Sequence, residues 1–306
     1  MQLIKRILVV MDDSTDHQAS LVQAIKIAEK TSASIELFLV VYKNQLISHW
    51  LFNEAQQKVI KNEYLATKLR WLETYAAEVM LLDINVSIDV VWHTDMSCAI
   101  LAKIAANNTS MVIKSTKQDS TISKIFFTPS DWQLLEHCSV PLLLTKNVSE
   151  TSYNQVMAAV DPEKNQAKSL DGDVLQAGLA MAELFDGQVH VCHCYEPIGA
   201  ELWQGITAVE MENTLDNGDY NVYTDAIKQH HSVAFTQLLS DYAFDETLIH
   251  LVAGSAVDEI PAVVKAHDVD LLVMGMSNNG KYMGNTIEKI LDNIECDVLS
   301  IKCLES

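Results

Sequence analysis

The chain repeats itself, and that repeat restricts its fold more tightly than anything else in the sequence. Ile7 to Met11 is a short apolar run ending in Asp12, and Val156 to Val160 is a second ending in Asp161. Each is followed by a helical pattern, with Leu21, Ile25 and Ala28 in the first half and Val174, Leu175, Leu179 and Ala182 in the second. Further apolar runs follow in step: Ile35 to Tyr42 with Gln188 to Tyr195, Val86 to Trp92 with Leu248 to Ala253, Met111 to Lys114 with Leu271 to Met274, and Pro141 to Thr145 with Val298 to Cys303. Helical stretches separate them, the longest being Glu54 to Met80 and Tyr223 to Tyr242. Strict alternation of strand and helix predicts parallel sheets covered by helices on both faces. The runs lack period-two alternation, as strands buried on both sides do. Two domains are expected, at 1–148 and 149–306, joined by a short polar stretch near Asn147 to Tyr153. So short a linker predicts that the halves pack as an intramolecular pseudo-dimer. Their fifth strands, near Leu143 and Leu299, would then face each other.

Charge excludes some functions. With 41 acidic and 21 basic residues the formal net charge is −20. Such a field repels nucleic-acid backbones and anionic lipid headgroups. No run reaches the roughly 18 apolar residues that a membrane helix needs. Six cysteines sit in apolar runs without a disulfide framework, and the first strand begins with no secretory signal pattern, so reduced thiols in the cytoplasm are expected.

Two side-chain constellations stand out. His190, Cys192 and Cys194 alternate along one predicted strand and so share a face, with His193 on the other. Imidazole and thiolate are zinc ligands, so His190 and Cys192 form a candidate two-ligand metal site completed from elsewhere. The competing reading is that these cysteines are small buried hydrophobes. Trp50, Phe52, Trp71, Trp92, Trp132 and Trp203 supply apolar area for core packing, for an interface, or for a ligand cavity beneath the long helices. No nucleophile elbow, catalytic triad order or metal dyad is present, so a dedicated enzyme is not expected.

Specific segments carry a family resemblance. Phe126 to Leu135 includes the run Thr128, Pro129, Ser130, Asp131, Trp132, and His137 to Pro141 follows. In the second half the matching segments are Gly284 to Glu288, Glu295 to Leu299, and Val222 to Ile227 with His230 and His231. Together these resemble tandem, two-domain members of the universal stress protein family over nearly the whole chain. The resemblance implies two flavodoxin-like (Rossmann-like) domains, each a five-stranded, mostly parallel sheet. It also implies a nucleotide crevice at the carboxyl ends of the strands, and a role in stress survival exercised by binding, with at most slow ATP hydrolysis. Members that bind ATP carry a Gly-x2-Gly-x9-Gly-[Ser/Thr] loop after the fourth strand, where backbone N–H groups approach phosphates.

The two halves differ against that pattern. The first has no glycine between Lys114 and Pro141, and Thr128 and Pro129 stand at the last Gly and Ser positions. Proline there removes an amide donor, so this half is expected to be structural. Asp12 and Ser14 persist, Ser14 also being a good helix N-cap. In the second half Gly275 and Gly284 match the outer glycines, Asn278 replaces the middle one with Gly280 nearby, and Asn285 then Thr286 follow. The loop is four residues shorter than the pattern. The resemblance places Asp161 by the ribose and the backbone of Cys194 by the adenine. ATP, shielded by Mg²⁺, is the implied ligand of the second half. The alternative is a nucleotide-free interaction protein or apolar-ligand carrier using an inter-domain or sub-helical cavity, with the glycines merely turning the chain.

Overall fold

The structure is a computed structural model and describes residues 4–44, 52–118, 125–146, 152–162, 168–203, 220–276 and 283–302. The first half runs β1 (Arg6–Val10), α1 (Ala19–Thr31), β2 (Ser34–Val41), α2 (Glu54–Met80), β3 (Val86–Trp92), α3 (Met96–Ala106), β4 (Met111–Ser115), β5 (Lys117–Gln118), β6 (Ile125–Phe126), α4 (Pro129–His137) and β7 (Leu142–Thr145). The second runs β8 (Gln155–Ala159), α5 (Lys168–Phe185), β9 (Gln188–Tyr195), α6 (Tyr220–Leu239), β10 (Ile249–Ala253), α7 (Ala256–Ala266), β11 (Leu271–Met276), α8 (Met283–Asp292) and β12 (Asp297–Lys302). The alternation read from the sequence is the alternation observed, and the fold is flavodoxin-like α/β in both copies.

Two compact units form: Met1–Ser152 together with Glu295–Ser306, and Tyr153–Ile294. The sequence division assigns the final strand to the second half, at 149–306. In the structure β12 is counted with the first unit, because it pairs antiparallel with β7, Leu299 opposite Leu143. The first unit's sheet therefore has the order β12-β7-β4-β1-β2-β3, parallel except at β12. The second unit's order is β10-β9-β8-β11, all parallel. The pairing has a physical reason: without β12, the apolar edge of β7 would be left with unpaired N–H and C=O groups.

The central strands form the cores, with Ile7, Leu8 and Val9 in the first unit and Val156, Met157 and Leu272 in the second all fully buried. On α1 the buried stripe is Leu21, Ala24, Ile27 and Ala28, and Ile25 lies at its half-exposed margin. On α5, Val174, Leu175, Met181 and Ala182 are buried while Leu179 is half-exposed. Trp71, Trp92, Trp132 and Trp203 are all half-buried rather than core residues. They contact other rings or cations: Trp92 meets Tyr42, Tyr64 and Lys61, and Trp203 stacks on Tyr223 at 4.3 Å. Trp50 lies outside the described residues.

Both units share one topological feature. The chain leaves the central strand, β1 or β8, toward one side of the sheet (β2, β9) and later returns to the other (β4, β11). That reversal opens a crevice at the carboxyl ends of β1 and β4, and of β8 and β11, where open α/β sheets bind ligands.

Candidate functional site

In the first unit this crevice is tied up by its own side chains. Asp12, just past β1, accepts hydrogen bonds from the Ser14 amide at 2.9 Å and the Ser14 hydroxyl at 2.6 Å. Gln18 donates to the carbonyls of Asp12 and Thr15. Ser14 is therefore a turn partner of Asp12 and not the helix cap expected from sequence; α1 begins after Gln18, which makes no side-chain cap. At the other wall, α4 opens with a capping box in which the Thr128 side chain and backbone amide both meet Asp131. The other oxygen of Asp131 stands 2.7 Å from the ammonium of Lys114, at the carboxyl end of β4. Asp131 is fully buried and Lys114 nearly so. An internal carboxylate thus stands at the α4 N-terminus, where its charge would oppose that of a bound anion.

The second unit is built differently at the same points. Met274 stands at the β11 position equivalent to Lys114, and Ile287 at the α8 position equivalent to Asp131. The first turn of α8 carries no acidic residue. Its N–H groups and partial positive charge therefore have no internal carboxylate of that kind. Asp161 follows β8 half-buried, its backbone N–H donating to the buried Asp171 of α5 at 3.0 Å. Gly284, Asn285 and Thr286 share the first turn of α8, with Thr286 exposed. Asn278, Gly280 and Lys281 lie outside the described residues. Gly275 has a packing role: a Cβ there would stand 2.8 Å from Leu170 Cγ, so the missing side chain makes room for the first turns of α5. β8, which Asp161 follows, and β11 are adjacent parallel strands, so Asp161 and the end of β11 lie at the same edge of the sheet.

Cys194 lies on β9, half-buried, with its sulfur 3.9 Å from that of Cys192. Hydrogen bonding to Cys194, together with burial, pushes the Cys192 thiol well above the ordinary range, so it stays protonated. His190, the other half of the expected pair, turns instead to two histidines that sequence reasoning did not single out. Its Nδ1 lies 2.9 Å from His250 Nε2 on β10, and its ring centroid is 4.8 Å from that of His267, the C-cap of α7. Among the described residues, this trio is the group whose donor atoms converge closely enough to hold a metal, all within 4.8 Å of one another. The corrected metal candidate is therefore His190 with His250 and His267, and not with Cys192. The signal was topological: β9 and β10 both begin at the amino edge of the sheet, and α7 returns to that edge.

On the opposite side of β9, His193 is fully buried. It bridges the Val160 carbonyl at 3.1 Å and His231 of α6 at 2.9 Å. His231 also stacks on Tyr195. This chain ties α6 to the carboxyl end of the sheet.

A doubly repeated α/β unit of this topology defines a tandem protein of the flavodoxin-like class. The universal stress protein family matches residues 3–146 and again 152–302, and the chain belongs to that family. Universal stress protein E of Salmonella typhi is 24% identical over 99% of this chain and 95% of its own length. The universal stress protein E homolog of Haemophilus influenzae is 26% identical over 97% of each chain. Among solved structures, a functionally unknown protein from Pseudomonas aeruginosa superposes with a TM-score of 0.74 at 23% identity, covering 98% of this chain and 93% of its own. A universal stress protein from Archaeoglobus fulgidus superposes with a TM-score of 0.64 at 15% identity over 99% of both chains. No helix among the described residues is long and apolar enough to cross a membrane.

Proposed function

We propose that this chain is a cytoplasmic stress-response protein that acts by binding and not by catalysis, and that its second half takes ATP or a related nucleotide with Mg²⁺. The observation that carries this reading is the contrast between the two crevices. Where the first half sets Asp131 against Lys114 at the helix N-terminus, the second half has Ile287 and Met274, and so no carboxylate of its own there. Asp161 would take the ribose, as the family resemblance implies. The triphosphate would lean on backbone donors at the start of α8, with Mg²⁺ offsetting the net charge of −20. The two domains act as one intramolecular pseudo-dimer in this reading.

Calorimetric titration with Mg-ATP tests it. Wild type and Asp12→Ala are expected to bind equally, and Gly284→Val to lose binding, because a β-branched side chain fills space next to the helix N-terminus. No heat from wild type at millimolar ATP, or unchanged affinity in Gly284→Val, overturns the nucleotide assignment. One observation favours a second reading, that of an apolar-ligand carrier or interaction protein. On α6, Val222 and Val233 are exposed, and Tyr223 is stacked beneath Trp203. Mass spectrometry of small molecules released from purified protein would then recover an apolar compound in place of nucleotide.

A further inference from the structure

The trio of histidines at the amino edge of the second unit's sheet plays no part in the crevice described above. We propose that His190, His250 and His267 bind one transition-metal dication of the zinc class, each through a single imidazole nitrogen. The three rings contact one another pairwise, with centroids 5.2, 4.8 and 4.5 Å apart, so the trio closes as a triangle and not a row. A tetrahedral ion held at about 2.0–2.1 Å from each nitrogen sets them about 3.3 Å apart, within reach of small ring rotations from the observed spread of up to 4.8 Å.

Two features favour a metal over a plain histidine cluster. His190 Nε2 lies 2.9 Å from Gln155 Oε1, on the first residue of β8. An amide oxygen only accepts, so His190 carries its proton on Nε2 and presents the Nδ1 lone pair to the other two rings. Metal-bound histidines use this same arrangement, donating the outer N–H to a carbonyl that fixes tautomer and orientation. Finally, His190 is buried while His250 and His267 are half-exposed, which gives an ion a way in and leaves a coordination position facing outward. The donor set is all imidazole, so zinc, copper and nickel suit it and calcium and magnesium do not. Without metal, His250 Nε2–H donates to His190 Nδ1; on binding, that proton moves to His250 Nδ1 or to water, and the freed Nε2 lone pair joins the ion.

The test uses the full chain, stripped with a chelator and titrated with Zn²⁺ and, for its visible d–d bands, Co²⁺. One ion per chain is expected, with tetrahedral or five-coordinate Co²⁺ bands and a melting temperature that rises with metal. His267→Ala, at a half-exposed helix cap where folding is not at stake, is expected to weaken binding at least 100-fold. Gln155→Ala, which frees the His190 ring, is expected to weaken it about 10–100-fold. Cys192→Ser is expected to bind as wild type does. Binding that survives His267→Ala, that is lost in Cys192→Ser, or that never reaches one ion per chain at micromolar metal overturns the proposal. Mg-ATP titration of the same variants separates this site from the crevice, which lies at the opposite end of the strands.

Discussion

Lys114 and Asp131 meet at 2.7 Å with side chains 8% and 0% exposed. A buried pair of this kind adds little relative to apolar residues, yet stranding either charge is costly. Lys114→Met is therefore expected to lower unfolding free energy by about 3–5 kcal/mol. The double variant Lys114→Met with Asp131→Asn is expected to recover much of that loss, because asparagine keeps an acceptor for the Thr128 cap and carries no charge. Chemical denaturation of both proteins checks this, and equal losses would mean the charge itself is not the cause. That the first half lacks a phosphate loop was legible in its missing glycines. That Asp131 pairs with Lys114 was not, because propensity and periodicity describe a residue's own element and not which side chain meets it from another.

At the scale of elements, Glu36 shows how strand and helix are locked together. It is buried on β2 and receives Arg6 of β1 at 2.8 Å, Lys103 of α3 at 2.7 Å and Asn107 beyond α3. Burial raises its pKa, but the hydrogen bonds from Lys103, Arg6 and Asn107 outweigh that and hold it below its ordinary value of 4.5. A carboxylate depressed in the folded state contributes stability that is present above its unfolded pKa and lost as pH falls through its folded pKa. Glu36→Gln is thus expected to be less stable than wild type at pH 7, with the gap closing as pH falls below about 4.5, the ordinary carboxylate range. Urea midpoints measured across pH 3 to pH 7 check this, and a gap independent of pH would remove the charge from the explanation. The extent of α2, Glu54–Met80, was legible because Asn53 and Gln56 form a capping box and the pattern between them and Met80 has no breaker. The facing of α1 and α5 was less so. Ile25 and Leu179 fit a helical period but sit at the margin of the stripe, where docking angle and not periodicity decides burial.

For the molecule as a whole, the antiparallel pairing of β12 with β7 is the feature with the largest consequence. Its Val298, Leu299 and Ser300 pair with Leu144, Leu143 and Leu142 of β7, and its Asp297 accepts the Lys146 amide at 2.7 Å. Ending the chain at Ile294 would bare a flat run of buried leucines at an open sheet edge, the geometry that invites edge-to-edge association. The truncated protein is expected to self-associate at micromolar concentration where the full chain does not, as sedimentation velocity would show. A monodisperse truncated protein would mean that β7 is protected by something other than β12.

The sequence by itself determined the repeat, the alternation of strand and helix, the parallel sheets and the family, because these follow from local period, strand hydrophobicity and short motifs, all of which are written along the chain. It also marked the strands near Leu143 and Leu299 as edges in need of cover, since an exposed apolar edge strand is a liability. Only the tertiary structure decided that Asp131 meets Lys114 and that His190 joins His250 and His267 instead of Cys192. Each of those depends on which ends of separate elements meet in space. That meeting is set by crossover direction and strand order, which no window of sequence contains.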